Sequence, residues 1–180
     1  MLYAKRRGEW RSFAHKSVLK KMAFNSKSFK QEVRSAIYQS MLDVSFARCG
    51  ACIGYVQDSE RRNFEKTKIV KTTDLLIGGI SRKTEVIRKA ISGRKFHNLD
   101  RRLRQEILGI DGATIISRDG EILAAGTILN LAQEENSSAI GGARRAAAVC
   151  LRKYGMSTKI SADGEITVFG KREDEEFSFA

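Results

Sequence analysis

Residues 111–129, DGATIISRDGEILAAGTIL, decide the reading of this chain. Ala113 to Ser117 is a run of small and β-branched residues, Arg118-Asp119-Gly120-Glu121 has the composition of a tight turn, and Ile122 to Leu129 is a second apolar run. Two such runs around Asp-Gly predict a β-hairpin. Toward the C-terminus, a polar loop (Gln133 to Ser138) leads to Gly141-Gly142, and then the alanine-rich stretch Ala143 to Tyr154, of high helix propensity, closes at Gly155. Lys159 to Ser161, the turn Ala162-Asp163-Gly164-Glu165 and Ile166 to Phe169 predict a further hairpin. The charged tail, Lys171 to Ala180, is expected to fray.

Toward the N-terminus, Leu103, Ile107 and Leu108 predict a helix over 99–108 ended by Gly109, and Val86, Ile87, Ala90 and Ile91 one over 82–92 ended by Gly93. Ala51 to Val56 reads as a short buried strand. Lys68 to Val70 and Leu75 to Ile80 read as strand-like or mixed apolar pieces around a charged loop. Phe29, Val33, Ile37, Met41 and Leu42 recur at helical spacing behind a candidate cap at Ser26 or Ser28, and residues 12–24 form an amphipathic pattern. Helices and strands therefore interleave. The expected fold is α/β (α+β), a mixed β-sheet flanked by helices. Its organisation reads as a basic helical extension over 1–45, a core domain over 46–170 and a tail over 171–180.

The length of 180 residues suits one domain, and 42% hydrophobic with 30% charged residues is the composition of a chain with a core. No run approaches the ~18 apolar residues of a membrane span, and the basic N-terminus lacks the apolar stretch of a secretory signal. The cytoplasm is the expected compartment. Cys49, Cys52 and Cys150 are too few for a disulfide scaffold. Cys49-Gly-Ala-Cys52 has metal-site spacing without the two further ligands zinc needs, so buried small side chains are the simpler reading. The net charge of +12 is uneven: ten Lys/Arg against two acids over 1–40, fifteen against eight over 41–110, and eight against eleven over 111–180. A basic N-terminal part is compatible with a polyanionic partner. It carries no zinc-finger, basic-zipper or aromatic RNA-binding pattern, and Trp10 and Phe13 read more simply as packing residues.

Two features fit phosphate chemistry. Gly141-Gly142 precedes a helix opening with Ala143-Arg144-Arg145, where free backbone N–H groups and guanidiniums favour an anion. A tight loop with solvated arginines is the plainer alternative. Asp111-Gly112-Ala113 places an acid at a strand entry, where it suits a divalent metal or a hydroxyl proton, although Asp-Gly is also an ordinary turn. The Gly-x-x-x-x-Gly-Lys-Ser/Thr pattern and any nucleophile–histidine–acid arrangement are absent from the sequence.

Together, Asp111-Gly112-Ala113, Gly142-Ala143-Arg144-Arg145 and the hairpin Ser161-Ala162-Asp163-Gly164-Glu165-Ile166 resemble the nucleotide-binding core of the diadenylate cyclase superfamily, the domain found at the N-terminus of the DNA-integrity scanning protein. The resemblance is most specific over 107–169. Cys49-Gly50-Ala51-Cys52-Ile53 is a weaker echo of that family's first core strand. The resemblance implies two face-to-face domains that each hold one ATP and join the two into cyclic di-AMP. It also implies Mg2+ or Mn2+ at Asp111, which would be the catalytic, metal-holding aspartate if the chain is active. Nucleotide contacts would come from Gly112, Ala113, Gly141, Gly142, Ala143, Arg144, Arg145 and Ser161. Arg144 matches the first arginine of the family's Arg-His-Arg run. Arg145 and Ala146 stand where the histidine and second arginine would be, and Ala146 offers no side-chain donor. Losing a positioned cation costs phosphoryl-type transfer more than it costs ground-state binding. The expectation is therefore a homo-oligomeric sensor or regulator that binds ATP or a cyclic dinucleotide. An active diadenylate cyclase is the alternative, and a basic nucleic-acid-binding protein a second one.

Overall fold

The computed structural model describes residues 1–6, 9–22, 30–131 and 142–179. The central sheet has six strands. Its middle strand β3 (Ala51–Val56) is buried along its whole length, which is why its sequence reads as a continuous apolar run. On one side β3 pairs in parallel with β4 (Ala113–Ser117), and β4 pairs antiparallel with β5 (Ile122–Thr127). On the other side β6 (Gly155–Ile160), β7 (Ile166–Phe169) and β8 (Glu176–Phe179) follow, each antiparallel to its neighbour. The order β5-β4-β3-β6-β7-β8 confirms the expected mixed sheet and both expected hairpins.

The strand residues alternate between two faces, and each face carries a core. Ile53, Tyr55, Ile116, Met156 and Ile160 pack against α2 (Gln31–Phe46), α4 (Arg82–Ile91) and α5 (Arg101–Gly109) through Ile37, Met41, Ile87, Ile107 and Leu108. Cys52, Val56, Ala113 and Ile115 face Phe64 of α3 (Asp58–Lys66) and Ala148 and Leu151 of α6 (Ala143–Leu151). Burial on this scale, at ~25 cal/mol per Å² of apolar surface, is what holds helices of modest propensity in place.

Several expectations change. The first residues are a two-stranded hairpin, β1 (Leu2–Arg6) with β2 (Glu9–Phe13), before α1 (His15–Met22). The helices assigned to an extension share the sheet's own core, since Val33, Ile37 and Met41 are fully buried with Ile53 and Ile160. The N-cap position of α2 is Lys30, without a side-chain cap bond, and Ser26 and Ser28 lie outside the described residues. α3 has no counterpart among the expected elements: its acids sit in the first turn, Lys66 in the last, and Phe64 alone is buried, so it has no apolar stripe for a sequence to show. Residues 68–80 form a short 3-10 turn (Thr72–Asp74) and a single bridge, Leu75 to Ala124, rather than strands. The tail does not fray: β8 extends the sheet, and buried Phe179 packs edge-on against Phe13 and tilted against Tyr38. No helix of the described residues is long and apolar enough to cross a membrane.

Candidate functional site

The sheet gathers most of the expected site residues at one edge. In the β3–β4 pairing Cys52 lies opposite Ala113, so Gly112 and Asp111 enter beside the start of β3. In the β3–β6 pairing Ala51 lies opposite Ile160, so Ser161 leaves β6 at the same edge. The turn after Ser161 is closed by the Gly164 N–H donating to the Ser161 carbonyl at 2.9 Å, and the Ser45 hydroxyl of α2 donates to the Gly164 carbonyl.

α6 brings the cation. Its N-cap is Gly142, at φ +82°, and the amides of Arg145 and Ala146 both donate to the Gly142 carbonyl at 3.1 Å. Those of Ala143 and Arg144 precede the first intrahelical bonds, as at any helix start. The Arg144 side chain lies against Gly50: a β-carbon added there would sit 2.9 Å from Nε and closer still to Cζ and Nη1. Glycine is thus what lets the arginine cross the start of β3. Arg144 makes no hydrogen bond or ion pair with another described residue. Asp111 is likewise exposed and unpaired among the described residues.

Gly112 has φ +106°, and a β-carbon there would lie 2.7 Å from the carbonyl carbon of Gly126 and the carbonyl oxygen of Thr127. The backbone of β4 can therefore approach β5 only at a glycine. Ala113, though named as a contact, is buried with its side chain on the α6 face, leaving its backbone at the edge. Gly141 lies outside the described residues.

Arg145 goes elsewhere. Its guanidinium forms a two-pronged pair with Glu176 at 2.9 and 3.1 Å and stacks 5.2 Å from the centre of the Phe169 ring. Adjacent helix residues do not share a face. Only Arg144 is presented to the glycine edge, and Arg145 ties α6 to the tail. Both partners of that pair are 35% exposed, so solvent screens it. Glu176→Gln is expected to lower stability by less than about 1 kcal/mol in a denaturant titration.

Beneath the edge, burial pushes the Cys52 thiol up to about 12, against the partly opposing charge of Arg144, and the Cys150 thiol up to about 11. Both are therefore neutral and shielded, whereas Cys49 is exposed. At pH 8 the native chain should take up one equivalent of maleimide, and three after denaturation. Because the unfolded thiol ionises near 9.0 and the folded Cys52 only about 12, the unfolded state releases the proton first as pH rises. This contribution to stability is fully present below about 9 and is lost progressively as pH rises from about 9 to about 12.

Among the described residues no three His, Cys, Asp or Glu side chains converge as a metal cluster. Asp111 is a single exposed carboxylate, which fits a cation that keeps its waters and arrives with a nucleotide's phosphates better than a preformed cage.

No protein-family model matches the chain, and no curated protein matches it in sequence. Solved structures do share its fold. A protein of Bacillus cereus described as a hypothetical membrane spanning protein aligns with a TM-score of 0.59 at 16% identity, over 88% of this chain and 68% of that one. DacA from Staphylococcus aureus aligns with a TM-score of 0.50 at 17% identity, over 91% of this chain and 88% of its own. At such identities the likeness is one of fold. The chain has the fold class of DacA: a mixed sheet flanked by helices.

Proposed function

We propose that this chain is a nucleotide-binding module that takes ATP or a cyclic dinucleotide at the glycine edge of its sheet. One observation carries the reading: Arg144, with no partner among the described residues, lies across Gly50, at the edge where Gly112 and Ser161 also emerge. An exposed guanidinium without a described partner, beside glycine backbone and a helix start, is an arrangement for phosphate oxygens. Asp111 at the same edge would meet the nucleotide's Mg2+ or Mn2+, the cation neutralising phosphate charge. The chain's own contribution is to orient the phosphates through Arg144 and the first amides of α6.

With Arg145 committed to Glu176 and Ala146 carrying no donor, the site brings one arginine where the resembling family brings two and a histidine. This favours a sensor or regulator over an efficient cyclase. The active diadenylate cyclase is the second reading, supported by the retained Asp111-Gly112-Ala113 at the same edge. Incubating the chain with ATP and Mn2+, separating the nucleotides, and running Asp111→Asn alongside tests both. Saturable binding without product supports the sensor. Cyclic di-AMP that vanishes in Asp111→Asn establishes the cyclase, and the absence of both binding and turnover refutes the nucleotide site.

A further inference from the structure

The hairpin that carries Asp111 is irregular. Ala113 pairs with Thr127 and Ile115 with Ala124, so β5 holds an extra residue between these pairs. That bulge falls at Ala125 and Gly126, and Gly126 takes φ +59°. Its Cα faces Ile110 and the Asp111 carbonyl, while Gly112 packs back against the Gly126 and Thr127 backbone. The position of the Asp111-Gly112 peptide is therefore set by where Gly126 sits.

Gly126 is in turn held from outside the sheet. The Lys83 ammonium, on the first turn of α4, donates to the Gly126 carbonyl at 2.6 Å. Asp74 lies 3.6 Å from that ammonium and accepts from the Thr127 hydroxyl at 3.2 Å, its carboxylate only 16% exposed. These two residues stand on a rigid bracket. Arg88 donates to the carbonyls of Leu76 and Gly79 at 2.9 and 2.7 Å, the Thr84 hydroxyl donates to Thr73 at 3.1 Å, and the Leu76 amide donates to Leu123 of β5 at 2.8 Å.

We infer that Lys83 and Asp74 are positioning residues for the candidate site: they pin the Gly126–Thr127 bulge and through it fix where Asp111 and Gly112 stand. Neither touches the edge where Arg144 lies. The consequence for ligand rests on the nucleotide reading above; the geometric part does not. Removing the ammonium releases the bulge, and Asp111 loses its fixed place beside the incoming cation. Supports of this kind typically change metal affinity ten- to a hundredfold.

The test compares wild type, Lys83→Met and Lys83→Arg, with thermal unfolding as a fold control. Backbone amide shifts of residues 110–113 and 126–127 are read by NMR, and Mn2+–ATP affinity by calorimetry. Lys83→Met is expected to shift those amides while the β6–β7 hairpin amides stay in place, and to weaken Mn2+–ATP binding about tenfold. Lys83→Arg, which keeps a donor, is expected to restore much of both. Unchanged amides at 110–113 overturn the inference. So does equal Mn2+–ATP affinity in wild type and Lys83→Met. If the wild-type chain binds no Mn2+–ATP, the nucleotide reading fails and the amide shifts alone decide whether Lys83 positions Asp111.

Discussion

Arg144→Ala is expected to weaken ATP binding by about ten- to a hundredfold while leaving the unfolding temperature unchanged. Hydrogen bonds to charged groups contribute about 1.5–3 kcal/mol each, and each 1.4 kcal/mol is tenfold in affinity. The fold should tolerate the change because the Arg144 side chain is exposed and no described residue depends on it for a partner. Arg145→Ala supplies the contrast. It removes the link to Glu176 and Phe169, so it should cost stability and little affinity. Calorimetry of ATP with Mg2+, set beside thermal unfolding of both variants, separates the two roles. Equal affinity losses at both positions would mean that the two arginines share a face with the ligand, contrary to the geometry.

Gly112→Ala is the second large effect. The φ of +106° is costly for any residue with a β-carbon, by roughly 1–2 kcal/mol. The added carbon would also meet backbone, 2.7 Å from Gly126 and Thr127, and backbone cannot rotate away as a side chain can. Overpacking adds about 1–3 kcal/mol. A total near 3 kcal/mol corresponds to about 6–12 °C in a chain of this size, read by calorimetric unfolding. An alanine variant that unfolds with the wild type would show that β4 and β5 are farther apart than described.

The sheet was legible where turn chemistry and apolar runs coincided. Asp119-Gly120 and Asp163-Gly164 mark the two hairpins, and both form as the residues predict. α3 was illegible because a helix with one buried side chain has no periodicity to detect. The tail carried a signal, Phe177 and Phe179 spaced by two as on a strand, but four consecutive acids drew the reading toward solvent. At the site, the chain's local patterns mark Asp111-Gly112 and Gly142 to Arg145 as phosphate-like; the sheet register brings Asp111 and Gly112 to the glycine edge, and α6 lays Arg144 across Gly50 there while Arg145 turns away.

What the local patterns did not convey was division of labour. Arg144 and Arg145 look equivalent in sequence, yet a helix points neighbours about 100° apart, and only the fold shows that Glu176 waits on one side and Gly50 on the other. Lys83 sits in a helix legible only through its apolar spacing, and Asp74 in the charged segment between two apolar pieces. Their role depends on a bulge in a strand distant in sequence, which no local pattern encodes.

The most direct measurement is an NMR titration of the chain with ATP and Mg2+, following backbone amides. Saturable shifts are expected at Gly50, Asp111 to Ala113, Gly142 to Arg144 and Ser161, the residues that meet at the glycine edge. Shifts clustered on another face, or none at saturating nucleotide, would contradict the nucleotide site.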